Sequence, residues 1–364
     1  MSMLDLAELA LRNTARNTRR TLFTLISITI GCAAMICFAG FISFTFEGLR
    51  ETTIRTQLGH FQVFRQGYFE KRHSDKAAIL IEDITPVEAA LAEVDHVTTV
   101  TSRLSFAGIG GTGGASLSMQ LVGADPDRET EFADFEIVVE GRNLRPGDES
   151  AGVIGFDLKL GLGAEIGDWV TVMTTTLDGV FNAIEFQIVG VVSTGSKAYD
   201  AVYAKVPISL AQSALDTKGG ERVIVLLDDT AHLNAATRQL TTALADLSTD
   251  YEIRSWQELA EYYDSVVALY SGLFRVFAVI VVVVVIFSVV NTMTMSVLER
   301  TSELSALRAM GATGRVIVAM IMLEGAILGL AGAALGLALS LAVSAGIDRF
   351  GGIEMPPPPA MSQG

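Results

Sequence analysis

Three long stretches of this chain carry no charge, and the rest of the sequence is ordered around them. They are residues 21–46 (TLFTLISITIGCAAMICFAGFISFTF), 276–298 (VFAVIVVVVVIFSVVNTMTMSVL) and 325–347 (GAILGLAGAALGLALSLAVSAGI). A membrane-spanning helix needs about 20 predominantly apolar residues, so each stretch is long enough. Only Glu324 separates the third from a preceding apolar run, VIVAMIML. Between the first and second stretches the pattern changes to short elements punctuated by turns. HVTTVTSRLSFAG and ASLSMQLVGA read as two strands joined by a glycine turn, IGGTGG. AIEFQIVGVVST reads as a further strand and VPISLAQSALDT as a helix. ITPVEAALAEV (84–94) predicts a short helix with Thr85 as N-cap and Pro86 at the first helical position. ERVIVLLDD, TAHLNAATRQLTTALADL and YEIRSW follow as strand, helix, strand. The expected fold class is an α-helical membrane protein. A large α+β extracytoplasmic domain is inserted between the first and second transmembrane helices.

The chain before the first stretch places Leu4, Ala7, Leu11 and Ala15 on one helical stripe, which predicts an amphipathic helix lying on the membrane surface. The expected layout is a cytoplasmic amphipathic helix (1–19), transmembrane helix 1 (20–48), an α+β domain (49–265) and transmembrane helix 2 (266–298). A cytoplasmic connector (299–315), transmembrane helix 3 (316–348) and an outer loop (349–364) complete it.

Composition agrees with a membrane chain. Half of the 364 residues are hydrophobic and 18% are charged, with a mean hydropathy of +0.44. Charge then sets the orientation. Arg12, Arg16, Arg19 and Arg20 outnumber Asp5 and Glu8 before the first span; Arg300, Arg308 and Arg315 outnumber Glu299 and Glu303 in the connector. Basic flanks stay in the cytoplasm. The whole chain carries a net charge of −15, and with both flanks basic the surplus acid falls on the outer domain, which argues against a nucleic-acid partner. Arg275, at the outer end of the second span, reads as an interface anchor. Cys32 and Cys37 both lie in the first apolar stretch, so the outer domain holds together without disulfides. Arg19-Arg20 ahead of an apolar run resembles a cleaved leader, but the run continues to Phe46, too long for a leader core.

Chemistry is sparse. His60, His73, His96 and His232 are scattered without metal-ligand spacing, and Asp228-Asp229 reads as a solvated turn. IGGTGG lacks the Lys-Ser/Thr ending of a phosphate-binding loop, and there is no Walker motif or Gly-x-Ser-x-Gly elbow. The expectation is no catalytic, cofactor or metal site in this chain, and no enzyme activity of its own.

Pattern concentrates instead in the connector, ERTSELSALRAMGATGRV. As a helix over 299–312 it places Leu304 and Leu307 at i, i+3, and lets Arg300 pair with Glu303 across one turn. Gly311 stands where such a helix stops. A partner pushing on this helix would move both flanking spans. In the third span, Gly325, Gly329, Gly332 and Gly336 recur at i, i+4, i+7, i+11, a stripe that permits close approach of another helix. Glu324 heads that stripe. A carboxylate at membrane depth is costly, so it is expected near the inner interface, either structurally paired or part of a conformational change. Arg315 lies nine residues back, about 13.5 Å of helical rise, too far for direct contact.

Glu299-Arg300-Thr301-x-Glu303-Leu304-x-x-Leu307-Arg308-Ala309-x-Gly311-Ala312 resembles the cytoplasmic signature of the MacB, LolC/LolE and FtsX superfamily of ABC-transporter permeases. LALRNTARNTRRTLFTLISITIG is similar to that family's first span, EGRNLRPGDESAGVIGFDLKLGLGAEIGDWVTV to its outer domain, and LEGAILGLAGAALGLALS to its third span. The resemblance implies a multi-pass protein of the bacterial inner membrane, with a cytoplasmic N-terminus and a periplasmic domain. It implies a stand-alone permease that binds no cofactor, ATP being bound by a partner: a cytoplasmic ABC ATPase dimer. A second permease copy or paralogue, and a periplasmic carrier, adaptor or lipoprotein, are the further implied partners. Glu299, Arg300, Glu303, Leu304, Leu307, Arg308, Gly311 and Ala312 carry over as the helix that couples to the ATPase, with Leu304 and Leu307 filling its groove. The expected cargo is lipophilic or lipidated, as in lipoprotein release or efflux. The alternatives are an FtsX-like signalling permease that activates a cell-wall hydrolase, and a membrane-anchored binding protein without an ATPase. The family has a fourth span where this chain carries GGIEMPPPPAMSQG, so that helix is expected to be truncated or lost.

Overall fold

The structure, a computed structural model, describes residues 18–71, 76–129, 132, 136–245, 247 and 251–350. The amphipathic helix expected over 1–19 lies outside these residues except for Thr18 and Arg19, which begin the first long helix. The loop expected over 349–364 lies outside them except for Arg349 and Phe350. Helices of seven residues or more are α1 (Thr18–Thr53), α2 (Thr85–Ala92), α3 (Phe156–Leu162), α4 (Ile208–Leu215), α5 (Leu233–Ala245), α6 (Glu261–Glu299), α7 (Thr301–Ala309) and α8 (Gly314–Arg349). Strands are β1 (Phe61–Arg65), β2 (Val97–Gly111), β3 (Ser116–Ala124), β4 (Ile137–Gly141), β5 (Ala151–Gly155), β6 (Trp169–Thr175), β7 (Phe181–Ser193), β8 (Tyr203–Pro207), β9 (Arg222–Leu227) and β10 (Tyr251–Ser255). The described chain divides into two compact units, one of residues up to 48 with 264–350, the other of residues 49–263.

In the first unit α1, α6 and α8 are each long and apolar enough to cross a membrane, and no proline interrupts any of them. Threonine and small residues set their contacts. Thr24 Oγ1 donates to Thr292 Oγ1 at 2.6 Å, and the Phe38 ring meets those of Phe274 and Phe277 at 5.7 and 5.6 Å. On α8 the buried row is Met320, Glu324, Leu328, Gly332, Gly336 and Ser340, a regular i, i+4 ridge. A Cβ at Gly332 would stand 2.6 Å from Ile28 Cγ2, and one at Gly336 only 2.7 Å from Cys32 Cβ and 2.9 Å from the Thr29 carbonyl oxygen. These two glycines make the close helix approach. Gly325 and Gly329 do not: a Cβ would meet nothing nearer than the Met293 methyl at 4.0 Å at the first, and nothing within 4 Å at the second. The expected glycine face is thus split. Residues eleven apart return to within about 20° of one face, whereas the buried i, i+4 row turns by about 40° per step, so near Gly325 and Gly329 it lies on another side of α8.

The second unit is built on one ten-stranded sheet in the order β10-β1-β9-β2-β3-β8-β5-β7-β4, with β6 pairing β2 and β7. The glycine turn is a hairpin tip, with Gly111 opposite Ser116 in the β2–β3 ladder. The N-cap expectation at Thr85 is corrected: Thr85 is already helical, Ile84 precedes it, and Asp83 Oδ1 accepts the Thr85 N–H at 2.9 Å. Asp83 fills the capping role because its shorter acidic side chain folds back two residues on.

One sheet carries two cores because β2 is 15 residues long. Its first half gives Val100 to a core with β1, β9, α2 and α5; its second half gives Leu104 and Phe106 to a core under α3 and α4. Charge is buried at the changeover. Arg103 reaches Glu129 with Nε at 2.9 Å and Nη2 at 3.0 Å. Burial alone would raise the Glu129 carboxyl, but the charge and hydrogen bonds of Arg103 outweigh it and hold the group below its ordinary value. Lys205 pairs with the buried Glu136 at 2.8 Å, and Tyr203 donates to the same carboxylate.

The chain leaving α1 enters this unit through one turn of π-helix, Ile54–Leu58, closed at Gly59 with φ +65°. A Cβ there would lie 2.4 Å from Ile224 Cγ2 and 2.9 Å from the Val225 carbonyl oxygen, so only glycine fits. Ile54 and Leu58 pack on Ile224, Leu226, Trp256 and Ala260. Beside them runs a directed chain of hydrogen bonds. The Leu227 N–H donates to His60 Nδ1 at 3.0 Å, so His60 Nε2 carries the proton towards Thr230 Oγ1 at 3.1 Å. Thr230 in turn donates to Glu51 Oε1 at 3.0 Å.

His60 is fully buried, and burial, helped by nearby Arg55, holds its imidazole down to about 4, against an ordinary value near 6.5. The unfolded chain therefore binds a proton that the folded one refuses. Stability is complete above about pH 6.5 and is lost as pH falls towards 4, by at most about 3 kcal/mol. Thermal unfolding of the detergent-solubilised chain at pH 7.5, 6 and 5, followed by the emission of Trp256 in a Trp169→Phe background, should show a falling midpoint. In His60→Gln, which keeps an acceptor and a donor, that part of the slope should vanish.

Candidate functional site

Three charged residues end α6 and start α7, and they do different things. Glu299 is the last residue of α6. Arg300 breaks the helix with φ −106° and ψ 18°, then hands its carbonyl to the Leu304 N–H at 2.9 Å. The break frees its side chain to turn inward. Arg300 Nη1 lies 3.3 Å from Glu324 Oε1 of α8, and Arg300 Nε lies 3.6 Å from Glu303 Oε2. The Glu324 side chain is 8% exposed and that of Arg300 12%, whereas Glu303 is 45% exposed. The Arg300–Glu324 pair is thus the enclosed one, and Glu303 attaches to its rim. Met293, Ser296, Val297, Leu304, Met320 and Ile321 line a small hollow around the pair. The i, i+3 contact expected between Arg300 and Glu303 is present, but the stronger geometry is the tie to Glu324, 24 residues on.

The remaining predicted residues lie along α7. Leu304 lines the hollow and is half-buried, as is Leu307 three residues on. Residues at i, i+3 share a face, and both leucines keep part of their surface open on it. Arg308 and Met310 are exposed, Met310 at 76%. Gly311 takes φ +97°, and the Ala312 N–H donates to the Leu307 carbonyl at 3.0 Å, which ends the helix and redirects the chain into α8. Glycine is required there because an L side chain rarely adopts that backbone.

The histidines are less scattered than their spacing suggests. Antiparallel pairing of Val97 with Leu227 sets His96 beside Asp228, and the next turn brings His232 to the same carboxylate. His96 Nδ1 is 3.0 Å from Asp228 Oδ2 and His232 Nδ1 is 2.8 Å from Asp228 Oδ1. Hydrogen bonds from His232 and then His96 hold the Asp228 carboxyl down to about 2. The Asp228-Asp229 turn is exposed, as expected, but it is not merely solvated.

Residues 21–243 match the family model described as the MacB-like periplasmic core domain, and residues 275–361 the one described as the FtsX-like permease C-terminal. The chain is 24% identical over 347 residues to the macrolide export ATP-binding/permease protein MacB of Campylobacter fetus subsp. fetus (strain 82-40), covering 92% of this chain and 52% of that protein. It therefore spans about half the length of this curated relative. Among solved structures, it is similar to the periplasmic region of MacB from Actinobacillus actinomycetemcomitans, at 20% identity and TM-score 0.45, covering 58% of this chain and 94% of that one. It is also similar to the extracellular domain of the noncanonic ABC-type transporter YknZ from Gram-positive bacteria, at 16% identity and TM-score 0.41, covering 54% and 99%.

Proposed function

The chain belongs to the MacB-like and FtsX-like family of ABC-transporter permeases, and on that premise we propose that it is a permease subunit driven by a separate cytoplasmic ATPase. ATP hydrolysis in the partner moves α7, and the membrane helices pass that motion to the periplasmic α+β domain. The domain acts on a lipophilic or lipidated cargo; the Campylobacter relative is named for macrolide export, and a macrolide is of the lipophilic class.

One observation carries this reading. The short helix between two membrane-length helices is pinned to the second of them by the enclosed Arg300–Glu324 pair. A displacement of α7 is therefore shared with α8 rather than absorbed by a loose loop. Its outward groups, Arg308 and Met310, supply one charge and one flexible apolar side chain, a combination suited to an acidic, grooved partner surface.

The test is charge reversal at Arg308. In proteoliposomes holding the permease and its ATPase, Arg308→Glu should insert normally but weaken ATPase recruitment at least about tenfold, because like charges across an interface cost several kcal/mol. Transport or signalling at the wild-type rate in that variant would remove the coupling role from α7.

A further inference from the structure

The turn between β9 and α5 carries chemistry that the transport reading does not use. Asp228 sits between two imidazoles, both aimed at it through Nδ1, at 3.0 Å from His96 and 2.8 Å from His232. The two rings are stacked, with centroids 3.7 Å apart and planes within 18°. Stacked imidazoles this close repel if both are charged, so two such rings gain little as a pair of ion pairs to one carboxylate. As neutral ligands they converge with it: one donor atom from each of the three residues lies within 4.8 Å of the other two.

The geometry points to a divalent metal site at His96, Asp228 and His232, taking Zn2+ or a similar borderline transition ion. Two imidazole nitrogens and one carboxylate oxygen form a donor set that such ions favour over Mg2+ or Ca2+, which prefer all-oxygen shells. Tetrahedral zinc with bonds of about 2.0–2.1 Å holds its donors about 3.3 Å apart. The present spacing reaches that by small ring rotations, for which the half-exposed side chains have room. As the ion enters, a neutral ring exchanges its Nδ1 proton for one on Nε2 through solvent, whereas a protonated ring releases its Nδ1 proton and keeps the one on Nε2; water fills the fourth position.

The support around the trio is already in place. The Asp229 N–H donates to Asp228 Oδ1 at 2.6 Å, which orients the carboxylate. The Asp228 N–H donates to the His96 carbonyl at 3.0 Å, which fixes the backbone of that ligand. Asp229 Oδ1 accepts the Ala231 N–H at 2.8 Å, holding the turn that presents His232. Such outer contacts orient ligands before the ion arrives. His96 itself is held at φ +68°, a conformation uncommon for a residue other than glycine.

The ion would join the start of β2, the end of β9 and the turn leading into α5. Thr230, inside the same turn, bonds both His60 and Glu51, and Glu51 belongs to α1. Metal binding therefore braces the contact between this turn and the extension of the first long helix.

The full chain in detergent, stripped with a chelator, is titrated with ZnCl2 by calorimetry and with Co2+ by visible absorption. One ion per chain, with cobalt ligand-field bands, is expected. His232→Ala and Asp228→Ala should each weaken binding by about a hundredfold or more, since even outer-shell changes cost 10–100-fold. Zinc should also raise the unfolding temperature of the wild type and leave that of the variants unchanged. A second measurement needs no variant: diethyl pyrocarbonate labelling read by mass spectrometry should modify His96 and His232 without zinc and spare both with it. No zinc uptake by the wild type, undiminished binding in both folded variants, or labelling that zinc does not alter would each overturn the site.

Discussion

Arg300→Met is expected to destabilise the membrane unit by about 3–5 kcal/mol and to uncouple it from the proposed ATPase partner. The loss is large because Glu324 keeps its enclosed position on α8 after losing the guanidinium 3.3 Å away, and removing one partner of a buried pair is strongly destabilising. The double replacement Arg300→Met with Glu324→Leu should recover most of the stability, because both halves of the enclosed pair are then replaced by apolar side chains. It should not recover coupling. The apolar pair fills the hollow but ties α7 to α8 by contact alone, without direction. Cys32, packed against Gly336, supplies the readout. In a Cys37→Ser background, the temperature at which a thiol-reactive dye labels Cys32 reports opening of the α1–α8 contact, and ATPase stimulation in proteoliposomes reports coupling. Equal labelling temperatures for wild type and Arg300→Met would show that the pair contributes no stability. Full stimulation in the double variant would show that it is not the link.

The second large effect belongs to the periplasmic domain. Arg103→Met should cost about 3–5 kcal/mol, since Arg103 is buried and holds Glu129 through two hydrogen bonds where the two cores of the sheet meet. The sign of its pH dependence distinguishes this from simple loss of packing. In the wild type the Glu129 carboxyl lies below its ordinary value, so the pair's contribution is complete above the unfolded carboxylate value and is lost as pH falls through the folded one. Without Arg103, only the charges of Lys205 and Arg222 oppose the effect of burial on Glu129, so its carboxyl moves up from its wild-type value and acid relieves part of the burial cost by protonating it. The gap between variant and wild type should therefore narrow from pH 7 to pH 4.5. Urea unfolding of both proteins in the same detergent measures it; a gap that stays constant would make Arg103 a packing residue only. Because one sheet serves both cores, loss of this pair should also loosen the two halves separately, seen as a lower urea dependence of the unfolding free energy.

What could be read from residue order was whatever depends on near neighbours or on bulk composition. Three charge-free stretches of membrane length, the α+β punctuation between them and the helical connector ending at Gly311 all follow from local pattern. Lipid selects composition over about 20 consecutive residues, strands alternate with period two, and a left-handed helix stop needs glycine. The family resemblance lay in the same local blocks. Tertiary structure decided the partnerships. Glu324 was legible as a costly residue that wanted a partner, but its partner, Arg300, is reached only when α6, α7 and α8 fold back on one another. Four glycines were legible as a stripe, yet only Gly332 and Gly336 meet α1, because the contact follows the i+4 ridge. His96 and Asp228 are 132 residues apart, and no spacing rule joins them; the register of β2 on β9 does, and the turn into α5 adds His232. Local order dictates which elements form, while long-range register and helix packing decide which side chains meet, and the chemistry of this chain rests on those meetings.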